Sequence, residues 1–262
     1  MPDTRTANTA WGRMLGDWAI PAEIRSAAPA LPYFFDPQVF IGAADEAISR
    51  NNDTPSDTQA REALPAEGTV LDVACGAGAA SLRLHPARVI GVDPSAPLLA
   101  AFTEQASRLG IQPAIVEGTW PEAEGHTPAA DVVVCHHVFY NVADLAPFAS
   151  ALTGHARHRV VVELTAVHPL AWLGPYWKAL HGVDQPERPT AEDAVAVLAE
   201  LGYDVRAQRW ARRYQMTGES DDEGLLRIAH RLCLPADRHG ELRRLLTEVP
   251  PPTEREVVTV WW

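Results

Sequence analysis

The chain has 262 residues, 47% of them apolar and 21% charged, which is enough for one large α/β domain with or without an appended cap. Its 34 acids against 22 Lys and Arg give a net charge of −12, which argues against non-specific nucleic-acid binding and against adhesion to anionic membranes. Three cysteines without a CxxC pair argue against a disulfide framework or a thiolate zinc site. With a polar N-terminus and no long apolar run, the reading is a cytoplasmic protein.

Residues 1–66 read as a helical N-terminal extension, and 67–262 as the main domain. A short helix is expected around Trp11 to Trp18. In "FDPQVFIGAADEAISR", Asp36 is placed to cap and Pro37 to start a helix whose apolar face holds Val39, Phe40, Ala43, Ala44, Ala47 and Ile48. Thr54 and Pro55 repeat the device, and Pro65 stops it. From Gly68 the pattern becomes strand, turn, helix. "TVLDVA", "RVIGV", "PAIVE", "ADVVVCHH" and "HRVVVELT" read as strands, with helices expected at "GAASLRL", after Ser95 and after Asp144. Strands apolar on both faces and alternating with helices indicate a doubly wound, mostly parallel sheet. An aromatic-rich helical segment is expected from Pro169 to Gly182, then a helix capped by Thr190. "YDVRAQRWA" alternates like a strand, about 221 to 247 is helical, and "REVVTVWW" closes the chain as a strand. The densest basic run, Arg206, Arg209, Arg212 and Arg213, is accounted for by surface placement on a strand.

The first strand ends in "VLDVACGAG". Glycines there let a backbone approach a ligand, and an acid at the end of the second strand, Asp93, can accept both hydroxyls of a ribose. A dinucleotide pyrophosphate fits poorly. Ser81 stands where the third glycine of that fingerprint belongs, and Asp72 would repel phosphate but attract an ammonium group. A ligand with ribose at one end and an amino-acid head at the other satisfies both facts.

"VLDVACGAG", "VIGVDPS", "VEGTWP" and "DVVVCHHVFYNV" resemble, in order and spacing, motifs of the class I S-adenosylmethionine-dependent methyltransferases, and the whole chain is similar to a group of methyltransferase-like proteins of the small-molecule type. The resemblance implies a seven-stranded Rossmann-like sheet with an antiparallel edge strand, a role that suits "REVVTVWW". It implies S-adenosylmethionine as cofactor and S-adenosylhomocysteine as product. It assigns Asp72, Ala74, Gly76 and Gly78 to the methionine side, Asp93 and Pro94 to the ribose, and Gly118, Thr119 and Trp120 to the adenine. Glu117 stands where the family often has Asp. The resemblance also implies that His136 and His137 line the methionine end.

Beside the glycine turn, "CHHVFYNV" offers His137, and secondarily Tyr140, as a base for an acceptor that must lose a proton. Glu163 ends the fifth strand, facing either substrate or an arginine. Trp11, Trp18, Tyr33, Phe34 and Phe35, with Trp172, Tyr176 and Trp177, are candidates to roof an apolar or aromatic pocket. Adjacent histidines on a strand point apart, so no metal site is expected. The expected reaction is methyl transfer to a small molecule, not to nucleic acid or at a membrane. The rivals are a non-catalytic S-adenosylmethionine-binding regulator and a nicotinamide-dependent oxidoreductase.

Overall fold

The computed structural model describes residues 6–28, 37–213 and 222–262. In chain order the helices are α1 (Ala7–Gly16), α2 (Ala22–Ala27), α3 (Pro37–Ser49), α4 (Pro55–Ala63), α5 (Ala96–Arg108), α6 (Leu145–His155), α7 (Gly174–His181), α8 (Ala191–Glu200), α9 (Asp222–Arg231) and α10 (His239–Glu248). The strands are β1 (Thr69–Val73), β2 (Arg88–Asp93), β3 (Gln112–Glu117), β4 (Ala130–His136), β5 (Ala156–Thr165), β6 (Arg206–Arg213) and β7 (Glu254–Trp261). They form one sheet in the order β3-β2-β1-β4-β5-β7-β6. Neighbours from β3 to β5 pair parallel, and β7 runs antiparallel to both β5 and β6.

The central strands are buried on both faces, as their unbroken apolar runs require. On one face Val70, Val132, Val134 and Val161 pack with Ala60 of α4 and with Leu99 and Phe102 of α5. On the other, Leu71, Val133, Cys135 and Val162 pack with Trp11 of α1, Leu145 and Leu152 of α6, and Leu198 of α8. A separate cluster joins Leu173, Tyr176 and Trp177 to Ile228, Leu232 and Leu242 of α9 and α10, with Ile20 and Ile24 packed against it.

The N-terminal helices pack directly on this framework. Asn8 of α1 accepts from the Ala146 N–H (2.9 Å) and donates to Asp144 (2.7 Å), so it supplies the cap that Asp144 was expected to give α6. A reciprocal Thr54–Asp57 capping box starts α4, which lies against β5. The Ala44 methyl of α3 packs on Ala77 of the glycine turn and on Leu98.

Three expectations are corrected. "GAASLRL" forms turns and a single 3-10 turn at Leu82–Leu84 rather than an α-helix. Left-handed residues bracket it, Gly78 (φ 93°) and His85 (φ 51°), and Arg83 is drawn into a buried pair with Asp57 of α4. "REVVTVWW" is the antiparallel strand, but it lies one place in from the edge. Its buried Val257, Val258 and Val260 need a strand on each side, and the mostly exposed β6 takes the edge. The helical stretch near 221–247 is two helices, interrupted around Pro235. Asp36, Tyr33, Phe34 and Phe35 lie outside the described residues.

Candidate functional site

The carboxyl ends of β1, β2 and β4 meet at the glycine turn. Ala74 and Gly76 both take left-handed backbone (φ 56° and 52°), Ala74 is exposed, and a side chain at Gly76 would meet nothing closer than 4.0 Å. That side of the turn is open to a ligand. Gly78 faces inward. A Cβ there would come within 2.4 Å of Leu82 and 3.1 Å of Phe102, so its lack of a side chain serves packing and not cofactor approach.

Asp72 is also beneath the turn rather than on it. It is fully buried and accepts a hydrogen bond from Ser81 Oγ (2.6 Å). Burial, with a smaller push from the Asp93 charge, raises its pKa to about 7 against the Ser81 hydrogen bond. The expected attraction for an ammonium group is therefore weaker than a fully ionised surface acid would give, and Asp72 braces the turn through Ser81.

Asp93 ties the second strand to the same turn. One oxygen accepts from the Gly76 N–H (3.0 Å) and the other from the Ser95 N–H (2.9 Å). Each oxygen keeps a second lone-pair direction for a ribose hydroxyl. Pro94 is exposed beside it. Asp93 pairs in register with Glu117, which is exposed at the end of β3. Gly118 donates to the Asp93 carbonyl (3.1 Å), and Thr119 is held to Glu122 (2.8 Å). Trp120 turns away: it is buried in the core with its ring edge-on to His155 of α6, so it gives no face to an adenine.

β4 ends at His136, and His137 lies just beyond it, so the two do not point apart as adjacent strand residues were expected to, and both are drawn to Glu163. His136 stands in register with Glu163 of β5, and its buried Nε2 has no hydrogen-bond partner among the described residues. Burial lowers its pKa. His137 takes left-handed backbone (φ 60°), donates its N–H to the Glu163 carbonyl (2.6 Å), and brings Nε2 to 3.0 Å from Glu163 Oε1. Its side chain is 43% exposed, while that of Glu163 is 4% exposed.

Glu163 is the hub of the site. Ser56 Oγ of α4 donates to it (2.7 Å), Thr259 of β7 lies 2.7 Å from Ser56, and the Trp210 indole donates to Thr259 (3.0 Å). Arg212 Nη1 of β6 completes its shell at 3.2 Å. Burial alone would raise the Glu163 pKa, but the His137 hydrogen bond and the charges of His136, His137 and Arg212 hold it below the usual carboxylate range. Ser56 and Thr259 carried no signal in the sequence. Arg212 was visible only as part of a basic run, and the pairing of β6 beside β7 brings it to the site.

Tyr140 does not join this group. It is buried, its hydroxyl donates to the Thr165 carbonyl (2.8 Å), and burial raises its pKa well above the usual phenol value. Its ring packs on Trp11 and His168, so the expectation of a second base is corrected to a packing role. The aromatic roof is likewise absorbed into packing. Trp11 donates to the Val142 carbonyl (2.8 Å), Trp18 stacks on His168 at 3.8 Å, and Tyr176 and Trp177 are core residues of the helical cluster.

The turn and sheet have counterparts among known proteins. Residues 70–158 match a family described as a methyltransferase domain. Ribosomal protein L11 methyltransferases of Aeromonas hydrophila and Aeromonas salmonicida are each 32% identical over 126 residues, which is 47% of this chain and 41% of each relative. The chain thus spans under half the length of these curated relatives. Among solved structures, YcgJ of Bacillus subtilis (TM-score 0.54, 17% identity) covers 79% of this chain and 96% of its own. A methyltransferase of Thiobacillus denitrificans, in complex with S-adenosylhomocysteine (TM-score 0.54, 17% identity), covers 87% of this chain and 99% of its own. At such identity these structures speak for the fold, which is the one described above. The strand order and the glycine turn with its tethered Asp93 thus lie in and around a segment, residues 70–158, that is similar to a methyltransferase domain.

Proposed function

We propose that the protein transfers a methyl group from S-adenosylmethionine to a small molecule, with His137 as the base that takes a proton from the acceptor. The observation that carries this reading is the exposed His137 ring locked to the buried Glu163 at the strand ends, beside the glycine turn.

The residues present suit the cofactor. Ala74 and Gly76 offer an open backbone, Asp93 keeps lone pairs for ribose hydroxyls, Gly118 and Thr119 follow β3 next to Asp93, as an adenine contact would require, and the Nε2 of His136, unpartnered among the described residues, is a buried atom that a bound group can satisfy. When bound, S-adenosylmethionine supplies a methyl group on a sulfonium, already activated for transfer. The protein's part is then to hold the acceptor in place and to remove its proton if it has one to lose. Glu163 is ionised and can only accept, so His137 Nε2 carries the ring proton and donates to Oε1. With Nε2 committed to Glu163, the lone pair that the ring can offer to an acceptor is the one on Nδ1, and that atom acts as base. The 3.3 Å approach of Arg212 Nη1 to Nε2 is a contact between two donors and not a hydrogen bond. Glu163 acts through His137 as a positioning residue. The packing of α3 on the turn, with a side chain at Gly76 falling 4.0 Å from Phe40, supports a capping role for the N-terminal segment.

The test is methyl transfer from S-adenosylmethionine labelled in its methyl group, with size-fractionated cell extract as the source of acceptor. Label is expected in the small-molecule fraction, and His137→Ala is expected to lower the rate at least tenfold while binding S-adenosylhomocysteine normally. Label in the protein fraction instead would place the acceptor with that of the ribosomal-protein relatives. S-adenosylhomocysteine binding with no transfer to either fraction would favour a regulatory binding protein.

A further inference from the structure

Glu163 is buried and ionised, so it only accepts, and its two oxygens are held by different parts of the fold. Oε1 faces His137 Nε2 (3.0 Å) and Arg212 Nη1 (3.2 Å). Oε2 accepts from Ser56 Oγ of α4 (2.7 Å). Behind Ser56 stand Thr259 Oγ1 (2.7 Å) and then the Trp210 indole N–H, 3.0 Å from Thr259. Sheet register explains the assembly. Thr259 lies directly opposite Glu163 across β5 and β7, and Trp210 and Arg212 are alternate residues of β6, so they share one face. Strand β6 thus reaches Oε1 directly through Arg212, and Oε2 indirectly through Trp210, Thr259 and Ser56.

The direction of each hydrogen bond follows from what each group can do. An indole N–H only donates, and an ionised carboxylate only accepts. The hydroxyl proton of Ser56 is committed to Glu163, so Thr259 donates its own to Ser56 and receives from Trp210. Local structure does not call for these hydroxyls. The start of α4 is already capped by Thr54 and Asp57, without help from Ser56. Thr259 is fully buried between Val258 and Val260, in a strand where valine has the same branched shape. A buried hydroxyl is costly unless it is bonded. Here each one is bonded, and the series ends at the carboxylate that holds His137.

Donors that share one acceptor compete. Each bond to an ionised carboxylate draws on its charge, and burial strengthens that coupling. The pull of Oε1 on the His137 ring is therefore set in part by what Oε2 receives. Resting on the reading of His137 as base, we propose that Ser56, Thr259 and Trp210 are positioning residues of the reaction: a buried, one-way series of donors that orients the Glu163 carboxylate and tempers its hold on His137. The other charged groups around that carboxylate are His136 from β4, Arg212 from β6 and, beside Ser56 on α4, Asp57, which is paired with Arg83.

The test is an NMR titration of the His137 ring in the intact protein. In Ser56→Ala the carboxylate has one donor fewer, holds the ring harder and favours its protonated form. The titration midpoint should therefore rise, with proton affinity up by at least roughly threefold. Thr259→Val, which keeps the volume, should move it the same way by less, and Thr259→Ser, which keeps the hydroxyl, should titrate like wild type. Thr190→Ala loosens a different helix start and should leave the midpoint in place, which separates the effect from lost stability. The pH profile of labelled methyl transfer should move with the ring in each variant. An unmoved ring in Ser56→Ala and Thr259→Val overturns the proposal, as does a downward shift in either. If Ser56→Ala does not fold, Thr259→Val decides alone. The expected ring shifts in a protein that transfers no methyl group would instead sink the reading of His137 as base, and with it the catalytic role given to the series.

Discussion

Asp72 and Glu163 are two acids on the same face of one sheet, driven in opposite directions by what surrounds them. Glu163 sits among His137, Arg212 and Ser56, and stays ionised despite burial. Asp72 has only the Ser81 hydroxyl, with the like charge of Asp93 nearby, and its pKa rises from 3.8 to about 7. The sign of the consequence follows from linkage. A carboxyl whose folded pKa exceeds its unfolded value stabilises the fold below the unfolded pKa, and loses that contribution as pH climbs through the folded one. Asp72→Asn, which keeps an acceptor for Ser81, should therefore gain stability relative to wild type between about pH 4 and pH 7. Urea unfolding of both proteins at pH 5 and pH 8 checks this, with the variant comparatively more stable at pH 8. The sequence made Asp72 and Asp93 conspicuous through their places at strand ends. It could not say that Asp72 lies under the turn, because that depends on Ser81 folding back over it.

Elements differ in how far their own residues determine them. The boxes at Thr54–Asp57 and Thr190–Asp193 are local, and both helix starts were readable from spacing alone. The segment after the glycine turn was not, because its geometry is set by Arg83 reaching across to α4. The start of α6 was misread for a similar reason, since its cap comes from Asn8 in α1. This division predicts unequal costs. Thr190→Ala removes one local cap at a surface helix and should cost about 1 kcal/mol. Asp57→Ala leaves the buried Arg83 with only the half-exposed Asp53, 3.9 Å away, as well as uncapping α4, and should cost about 3–5 kcal/mol. Denaturant unfolding of the two variants beside wild type tests the difference, and equal losses would mean that α4 is not anchored through Arg83.

At the scale of the whole molecule, the parallel sheet order and its glycine turn were legible because each strand announces itself by an apolar run bounded by turn residues. The pairing of β7 between β5 and β6 was not, since both are polar-alternating or terminal segments whose partners are distant in sequence. That pairing shapes the candidate site: it carries Arg212 to Glu163 and Thr259 to Ser56, and so completes the shell around Glu163. The terminal tryptophans show the same logic. Trp262 stacks on Tyr203 at 5.7 Å and donates to Thr153 of α6 (2.9 Å), while its backbone exchanges hydrogen bonds with Val160 of β5. No helix among the described residues is long and apolar enough to cross a membrane.

The central claim, that the open glycine turn and Asp93 receive a methyl donor rather than a dinucleotide, is tested most directly by calorimetric titration with S-adenosylhomocysteine and with NAD in parallel. Saturable binding of S-adenosylhomocysteine, abolished by the bulky Gly76→Val and absent for NAD, is the predicted result. Binding of NAD without binding of S-adenosylhomocysteine would contradict it.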